Sequence, residues 1–376
     1  MSSARDVASI SSQPSSGGRR DERIDFWRGL CLVGMVSWHI LDNPSIPTWL
    51  SFGIIQSFNF VAEGFILLAG AAVGIVAARA PGGRPPAARF LHRAVQLLLV
   101  HYIMAVVLLV GFHAPNAWTS TPDGPFWKVA WSILALEYQP PLGDILSVFV
   151  FLFAATPVFL AIQRRFGSRV LFAASLALYV ASNLAPQLVS AKWLAAVELN
   201  HFGAFDFNTW QLVFVCGILF GQHREPIMAR AGGRFWTWLA ISLLAFAAVS
   251  GYRLQVETHE GWSDRLPEVL LFSRHPLSPA RLVYTAMQML LIGLITVRFW
   301  NRFADTWPAR TVVLFGQHSL TVFVASVFLD YLLKAAIGGL GDQLPIGLAA
   351  WAIEVTALYF VAAYGRRATR RVKPTK

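Results

Sequence analysis

The residues with the clearest chemical potential lie near the start of the chain, in the segment RIDFWRGLCLVGMVSWHI. Arg28 and His39 are eleven residues apart. In an α-helix this is close to three turns and about 16 Å along the axis, so the two side chains would share one face. Asp25 lies three residues before Arg28, at the spacing of a helical ion pair. A guanidinium and a titratable imidazole on one stripe favour a polar tunnel. The alternative is that Arg28 only anchors the helix at the cytoplasmic interface of the membrane, and that His39 makes a helix–helix hydrogen bond.

A second group of charged residues falls in or beside apolar segments. Glu63 lies inside FNFVAEGFILLAGAAVGI. A glutamate in such a segment is either an ion-pair partner or a proton handler. Arg89, His92 and Arg93 begin a later apolar segment. They suit a phosphate-binding site and charged anchoring at the end of a helix equally well.

Hydrogen-bonding groups flank a tryptophan further along the chain. They open another apolar segment: Asp206, Asn208, Trp210 and Gln211. An aromatic ring beside polar groups is typical of a sugar-binding surface, and the alternative is an interfacial tryptophan beside helix caps. His318, near the start of a later apolar segment, is a weaker signal of the same kind.

The sequence predicts no metal site. Its nine histidines include no close pair at the spacing of helical metal ligands, and there is no clustered Cys/His run. The two cysteines, Cys31 and Cys216, fall inside apolar segments, where packing is the expected role. We therefore expect no tightly bound cofactor.

The elements that must position these residues are transmembrane helices. The chain is 56% hydrophobic and 14% charged, which leaves too few polar residues to cover a soluble protein of 376 residues. Continuous apolar runs of about 20 residues indicate helices rather than barrel strands. We predict an all-α integral membrane protein of about ten transmembrane helices. The predicted spans are 26–42, 52–78, 90–112, 142–162, 170–186, 209–222, 235–252, 282–298, 311–333 and 345–364.

The distribution of basic residues predicts the orientation. Alternate segments between these spans contain 24 of the 31 lysines and arginines, so both termini are predicted to be cytoplasmic. The net charge of +11 is then explained by loops that face anionic lipid, without a nucleic-acid partner. We predict a disordered cytoplasmic tail over 1–22, one membrane domain over 23–365 and a basic cytoplasmic tail over 366–376.

Several of these segments resemble the OpgC-type succinyltransferases of osmoregulated periplasmic glucans, which are relatives of the acyltransferase-3 group. The likeness covers nearly the whole chain in order. It is carried by RIDFWRGLCLVGMVSWH, AEGFILLAGAAVG, FNTWQLVFVCGILFG, LSPARLVYTAMQML and FGQHSLTVFVASVFLDYL. Arg28 and His39, separated by ten residues, match the signature of the larger group. Its second signature, two arginines with two residues between them, is not matched, because Arg89 and Arg93 have three between them.

The resemblance implies an O-acyltransferase of the bacterial inner membrane that takes a succinyl group from cytoplasmic succinyl-CoA. His39 would be the general base on a glucan hydroxyl, with Glu63 and Asp25 assisting it. The donor would be bound on the inner side by Arg28, Arg89, Arg93 and His318. The acceptor would be bound on the outer side by Asp206, Asn208, Trp210, Gln211 and Arg281, of which Arg281 would recognise a carboxylate on the acyl group.

Two other functions stay open at this point. An acetyltransferase acting on another envelope polysaccharide or lipid would carry the same motifs. A small-molecule transporter would also have many spans with buried charges, although it would be expected to show inverted repeats. The expected partners are acyl-CoA, an envelope glycan and membrane lipid, with homo-oligomerisation left open.

Overall fold

A computed structural model describes residues 21–41, 60–80, 85–116, 123–184, 205–258, 272–273, 276–338 and 343–372. Over these residues the protein is all-helical. Its helices are α1 (Glu22–Leu41), α2 (Val61–Arg79), α3 (Ala87–Phe112), α4 (Phe126–Leu134), α5 (Asp144–Phe166), α6 (Ser168–Leu184), α7 (Phe207–Gly233), α8 (Phe235–Thr258), α9 (Pro279–Phe303), α10 (Trp307–Gln317), α11 (Ser319–Ile337) and α12 (Leu344–Val372).

Several of these helices indicate a multi-pass membrane protein, as the sequence predicts. Among the described helices, seven are long and apolar enough to cross a bilayer: α2, α3, α5, α8, α9, α11 and α12. α6 is apolar but shorter. α1 and α7 carry more polar residues, among them the Arg28, His39 and Gln211 of interest here. The count of ten spans and the orientation of the termini stay predictions.

The helices depart from the predicted spans in three places. The predicted span 311–333 is divided at His318, whose φ of −111° and ψ of 32° lie outside the helical range. The segment 113–141, which lies between the third and fourth predicted spans, contains α4. α7 runs beyond its predicted span to Gly233, with a kink at His223, shortly before Pro226.

The predicted tails are only partly described. Residues 366–372 continue α12, whereas residues 1–20 and 373–376 lie outside the described residues. Positions 42, 52–59 and 185–186, which belong to the first, second and fifth predicted spans, also lie outside the described residues.

Glycines let two pairs of helices touch backbone to backbone. Gly70 and Gly74 of α2 face α7, and Gly217 and Gly221 of α7 face α2, so that a Cβ at any of the four would collide with a backbone carbonyl of the opposite helix. This is the small-residue spacing that membrane helices use for close packing. Gly29 brings α1 against α10 in the same way. These contacts hold the two helices that carry Arg28 and Glu63 in fixed positions.

Candidate active site

A cavity of about 330 Å³ is lined by several of the predicted donor-binding residues. Its lining includes Arg28 of α1 and three residues from the first turns of α3: Arg89, His92 and Arg93. The remaining lining residues are mostly apolar and come from α2, α3, α5 and α11. None of the described residues that line this cavity is acidic. The cavity therefore combines a strongly basic end with apolar walls.

The basic side chains are held in different ways. The Arg28 Nη2 donates a hydrogen bond to the backbone oxygen of Leu68 on α2, at 3.3 Å. The Arg93 Nη1 donates to the Oε1 of Gln96, at 2.7 Å, within its own helix. Arg28 is half-buried, whereas Arg89 is exposed. Arg28 is therefore the more fixed of the two, and Arg89 is free to meet a ligand from solution.

His39 lies in a separate and much smaller cavity of about 20 Å³. Two carboxylic side chains line it as well, Asp330 of α11 and Glu354 of α12, together with Ser326. The exposed fractions of Asp330 and Glu354 are 3% and 1%. His39, itself half-buried, thus shares this cavity with two buried acidic side chains.

The carboxylic groups in this small cavity are only partly satisfied. Lys334 Nζ lies 2.9 Å from the Oδ2 of Asp330, one turn further along α11. The other oxygen of Asp330 and both oxygens of Glu354 are buried and accept no hydrogen bond from the described residues. Burial of an oxygen without a hydrogen-bond partner costs free energy, and a catalytic role is one explanation for such groups. They are available to accept a proton or to stabilise a nearby cation.

One aromatic side chain lines both cavities. Among the described residues, only Phe323 of α11 lines both the basic cavity and the cavity of His39. Leu320 lies one turn before it on the side of the basic cavity, and Val327 lies one turn after it on the side of His39. α11 therefore forms a continuous wall from one cavity to the other.

The predicted catalytic Glu63 has a different partner. Its Oε1 accepts a hydrogen bond from the Nε of Arg281 on α9, and both side chains are almost completely buried. The Glu63 Oε2 has no hydrogen-bond partner in the described part of the protein. Glu63 and Arg281, predicted on the catalytic and acceptor sides, are thus brought together, while Asp330 and Glu354 are the carboxylic residues that share the cavity of His39.

The predicted acceptor residues at the start of α7 are mostly engaged within the protein. Asp206 caps the helix by accepting from the backbone N–H groups of Asn208 and Thr209 at 3.2 and 3.1 Å. Gln211 accepts a hydrogen bond from the hydroxyl of Ser175 on α6 at 2.6 Å. Trp210 is completely buried, with its ring 4.8 Å from that of Phe205. In this structure Trp210 presents no ring face to a sugar, so the acceptor site stays a prediction.

Asp25 and His318 both lie near the contacts of α10. Asp25 is buried, and its backbone packs directly against Gly316. His318 occupies the break between α10 and α11, where its ring lies next to Gly365 of α12. The neighbouring Ser319 lines the basic cavity. The predicted roles of Asp25 in catalysis and of His318 in donor binding stay predictions.

The two cysteines line a third cavity of about 340 Å³ between α1, α7 and α9. Cys31 and Cys216 are both free, and apolar side chains surround them. This is the packing environment that the sequence predicts for them.

Sequence analysis missed Asp330, Glu354 and Phe323. The signal for the two acids was present, because each is an isolated acidic residue within an apolar run, as Glu63 is. Phe323 is one of 28 phenylalanines, and nothing in the sequence distinguishes it.

Comparison with known proteins places this arrangement in a family. No curated protein matched the chain. A family model described as OpgC protein matches residues 20–370, which includes every residue of both cavities. The chain therefore belongs to the OpgC family, and this membership suggests a glucan-modifying acyltransferase.

Proposed function

We propose that the protein transfers a succinyl group from cytoplasmic succinyl-CoA to hydroxyl groups of a periplasmic glucan, with His39 as the general base. The observation that carries this proposal is the order of groups along α11. A basic cavity suited to an acyl-CoA is followed by Phe323, and then by a small cavity that contains His39 and two buried carboxylic side chains.

The basic cavity supports the donor side of the reaction. Its volume of about 330 Å³ lies within the range of ligand pockets, about 300–1,000 Å³. Arginine forks match phosphate oxygens, so Arg89 and Arg93 at the start of α3 would bind the phosphates of coenzyme A. Arg28 lies deeper, where it would contact the donor nearer to its thioester. The apolar walls suit the uncharged arm that joins the phosphates to the sulfur.

The proposed reaction uses one proton acceptor and proceeds without an acyl-enzyme intermediate. The acceptor oxygen forms a bond with the thioester carbonyl carbon while its proton moves to His39. The C–S bond then breaks, and the leaving sulfur takes that proton and departs as the thiol of coenzyme A. Asp330 and Glu354, which share the cavity of His39, would stabilise the imidazolium that exists between these two proton transfers.

The proposed arrangement in the membrane follows from the charge pattern. Ten spans with both termini cytoplasmic would place Arg89 and Arg93 at the cytoplasmic face of the inner membrane, where acyl-CoA is found. His39, about 16 Å further along the helix axis than Arg28, would then lie in the outer half of the bilayer. The acceptor glucan would approach from the periplasm.

The test is the chemical state of the periplasmic glucans in cells. Glucans are extracted from cells that carry the wild-type gene, a deletion, His39→Ala or His113→Asn, with membrane expression confirmed for each variant. His113 is an exposed histidine at the end of α3 and serves as the matched control. We expect succinyl groups in the wild type and His113→Asn, and their loss in the deletion and His39→Ala.

Each outcome of this experiment bears on one part of the proposal. Identical glucans in wild-type and deletion cells would exclude a glucan acceptor. Acetyl in place of succinyl groups would correct the donor. Full modification by His39→Ala would exclude His39 as the base.

A further inference from the structure

We infer that Phe323 is a specificity-determining residue, which separates the donor cavity from His39 and moves aside only for an acyl group that fits. This inference rests on the proposed function. It starts from the position of Phe323, which alone among the described residues lines both cavities.

The small volume of the His39 cavity means that a side chain must move before an acyl group can reach His39. The cavity of His39 has a volume of about 20 Å³, whereas a single water needs about 10–15 Å³. An acyl group of four carbons does not fit in that space. The neighbouring cavity of about 330 Å³ is large enough for the acyl group and part of its carrier. The thioester carbonyl therefore reaches His39 only when the space of the Phe323 ring is vacated.

Phe323 lies on one face of α11 between residues of the basic cavity and residues of the His39 cavity. Ser319, Phe323, Ser326 and Asp330 follow one another at intervals of three or four residues, so their side chains share one stripe of α11. Ser319 lines the basic cavity, and Ser326 and Asp330 line the cavity of His39. The Phe323 side chain is 6% exposed and closes the passage between these two groups of residues.

Two properties of the reaction follow. The space released by the ring sets an upper limit on the acyl group, because a longer chain would have to displace the neighbouring side chains as well. The ring also keeps the water of the basic cavity away from the base until an acyl group fills the passage, which limits hydrolysis of the thioester.

The first experiment measures acyl selectivity and hydrolysis in the purified protein. Phe323→Ala is compared with wild type and with Phe328→Ala, a matched control that removes a ring of the same helix which lines neither cavity. The donors are acyl-CoA thioesters of increasing chain length, with and without glucan. We expect Phe323→Ala to raise acceptor-free hydrolysis roughly tenfold relative to transfer and to accept longer acyl groups, and Phe328→Ala to do neither.

The second experiment needs no enzymatic activity. Ser326→Cys is introduced after Cys31 and Cys216 have been replaced by alanine, and a charged methanethiosulfonate reagent is applied to the face that carries Arg89. Ser326 lies in the cavity of His39 and is 9% exposed. We expect its labelling to be slow with Phe323 present and roughly tenfold faster with Phe323→Ala, because the two cavities then join.

The two experiments separate the inference from the proposed function. Faster labelling without any thioester turnover by the wild type would support the partition and refute the acyltransferase. Wild-type transfer combined with unchanged labelling, hydrolysis and chain length in Phe323→Ala would overturn the partition. Phe323→Leu, a smaller change in the same position, repeats the labelling test if the alanine variant is not folded.

Discussion

The buried ion pair between Glu63 and Arg281 allows a quantitative test of the fold. The two side chains are 0% and 4% exposed, so neither charge is screened by water. Removal of one partner leaves an uncompensated buried charge, which costs about 3–5 kcal/mol of folding free energy. Removal of both leaves none, and apolar replacements of similar volume are close to neutral. We therefore expect Glu63→Leu and Arg281→Met each to destabilise the protein strongly, and the double variant to recover most of the loss.

The assay is equilibrium unfolding in mixed micelles, with the four members of the double-mutant cycle measured side by side. Arg310→Gln is the control, because its ion pair with Asp305 is exposed on both sides and should contribute less than about 1 kcal/mol. A coupling free energy of several kcal/mol is expected for the buried pair. If the single variants cost no more than Arg310→Gln, the pair does not hold α2 and α9 together.

A further variant, Arg281→Ala, tests the predicted role of Arg281 in recognition of the acyl group. In the structure its guanidinium already binds Glu63, so a carboxylate on the acyl group would have to share that guanidinium or displace Glu63. Arg281→Ala with unchanged preference for succinyl over acetyl donors would remove Arg281 from the recognition of the acyl group.

Three further predictions follow from the cavities and the helix contacts. Glu354→Gln should lower the transfer rate by about 10²–10⁴-fold without loss of thermal stability. The reason is that an amide fills the same space as the carboxylic group but does not stabilise an imidazolium by charge. The test is to measure kcat and a thermal melting curve for the same variant. Replacement of Arg89 and Arg93 by neutral residues should raise the KM for acyl-CoA more than it lowers kcat. High salt should reduce the difference in KM between the variant and the wild type, which a titration of ionic strength would show. Gly217→Leu should destabilise the protein by about 1–3 kcal/mol or more, because its side chain would collide with the α2 backbone. In the same unfolding assay Gly232→Leu should be neutral, because a Cβ at that position meets no atom within 4 Å.

The helices themselves were largely predictable, because apolar runs are a direct consequence of the lipid environment. The predicted span 142–162 corresponds to α5, Asp144–Phe166, within a few residues. The break at His318 was not predicted, although Gly316 precedes it. That glycine packs against the backbone of Asp25, and such a tertiary contact leaves no trace in hydrophobic periodicity.

Some residues that the sequence singles out line cavities, but their pairing could not be predicted. An arginine and a histidine on one face of α1 were predicted to line one polar path, whereas the structure places them in two separate cavities. The partner of Glu63 lies 218 residues away in the chain, so its identity depends on how α2 and α9 pack. Asp330 and Glu354 carry the same signal of an acid in an apolar helix. Their position beside His39 becomes apparent only when α11 and α12 are placed next to α1.

The single ring between the cavities also has a consequence for the energy stored across the membrane. Moving one elementary charge through a potential of 100 mV corresponds to about 2.3 kcal/mol, so an open water path would dissipate that potential as protons flowed through it. Phe323 lies between a cavity lined by arginines and one lined by a titratable histidine and two acids, groups that could pass protons along. If the proposed transfer takes place across the bilayer, an apolar ring at this point would interrupt the proton path and so prevent an electrical leak.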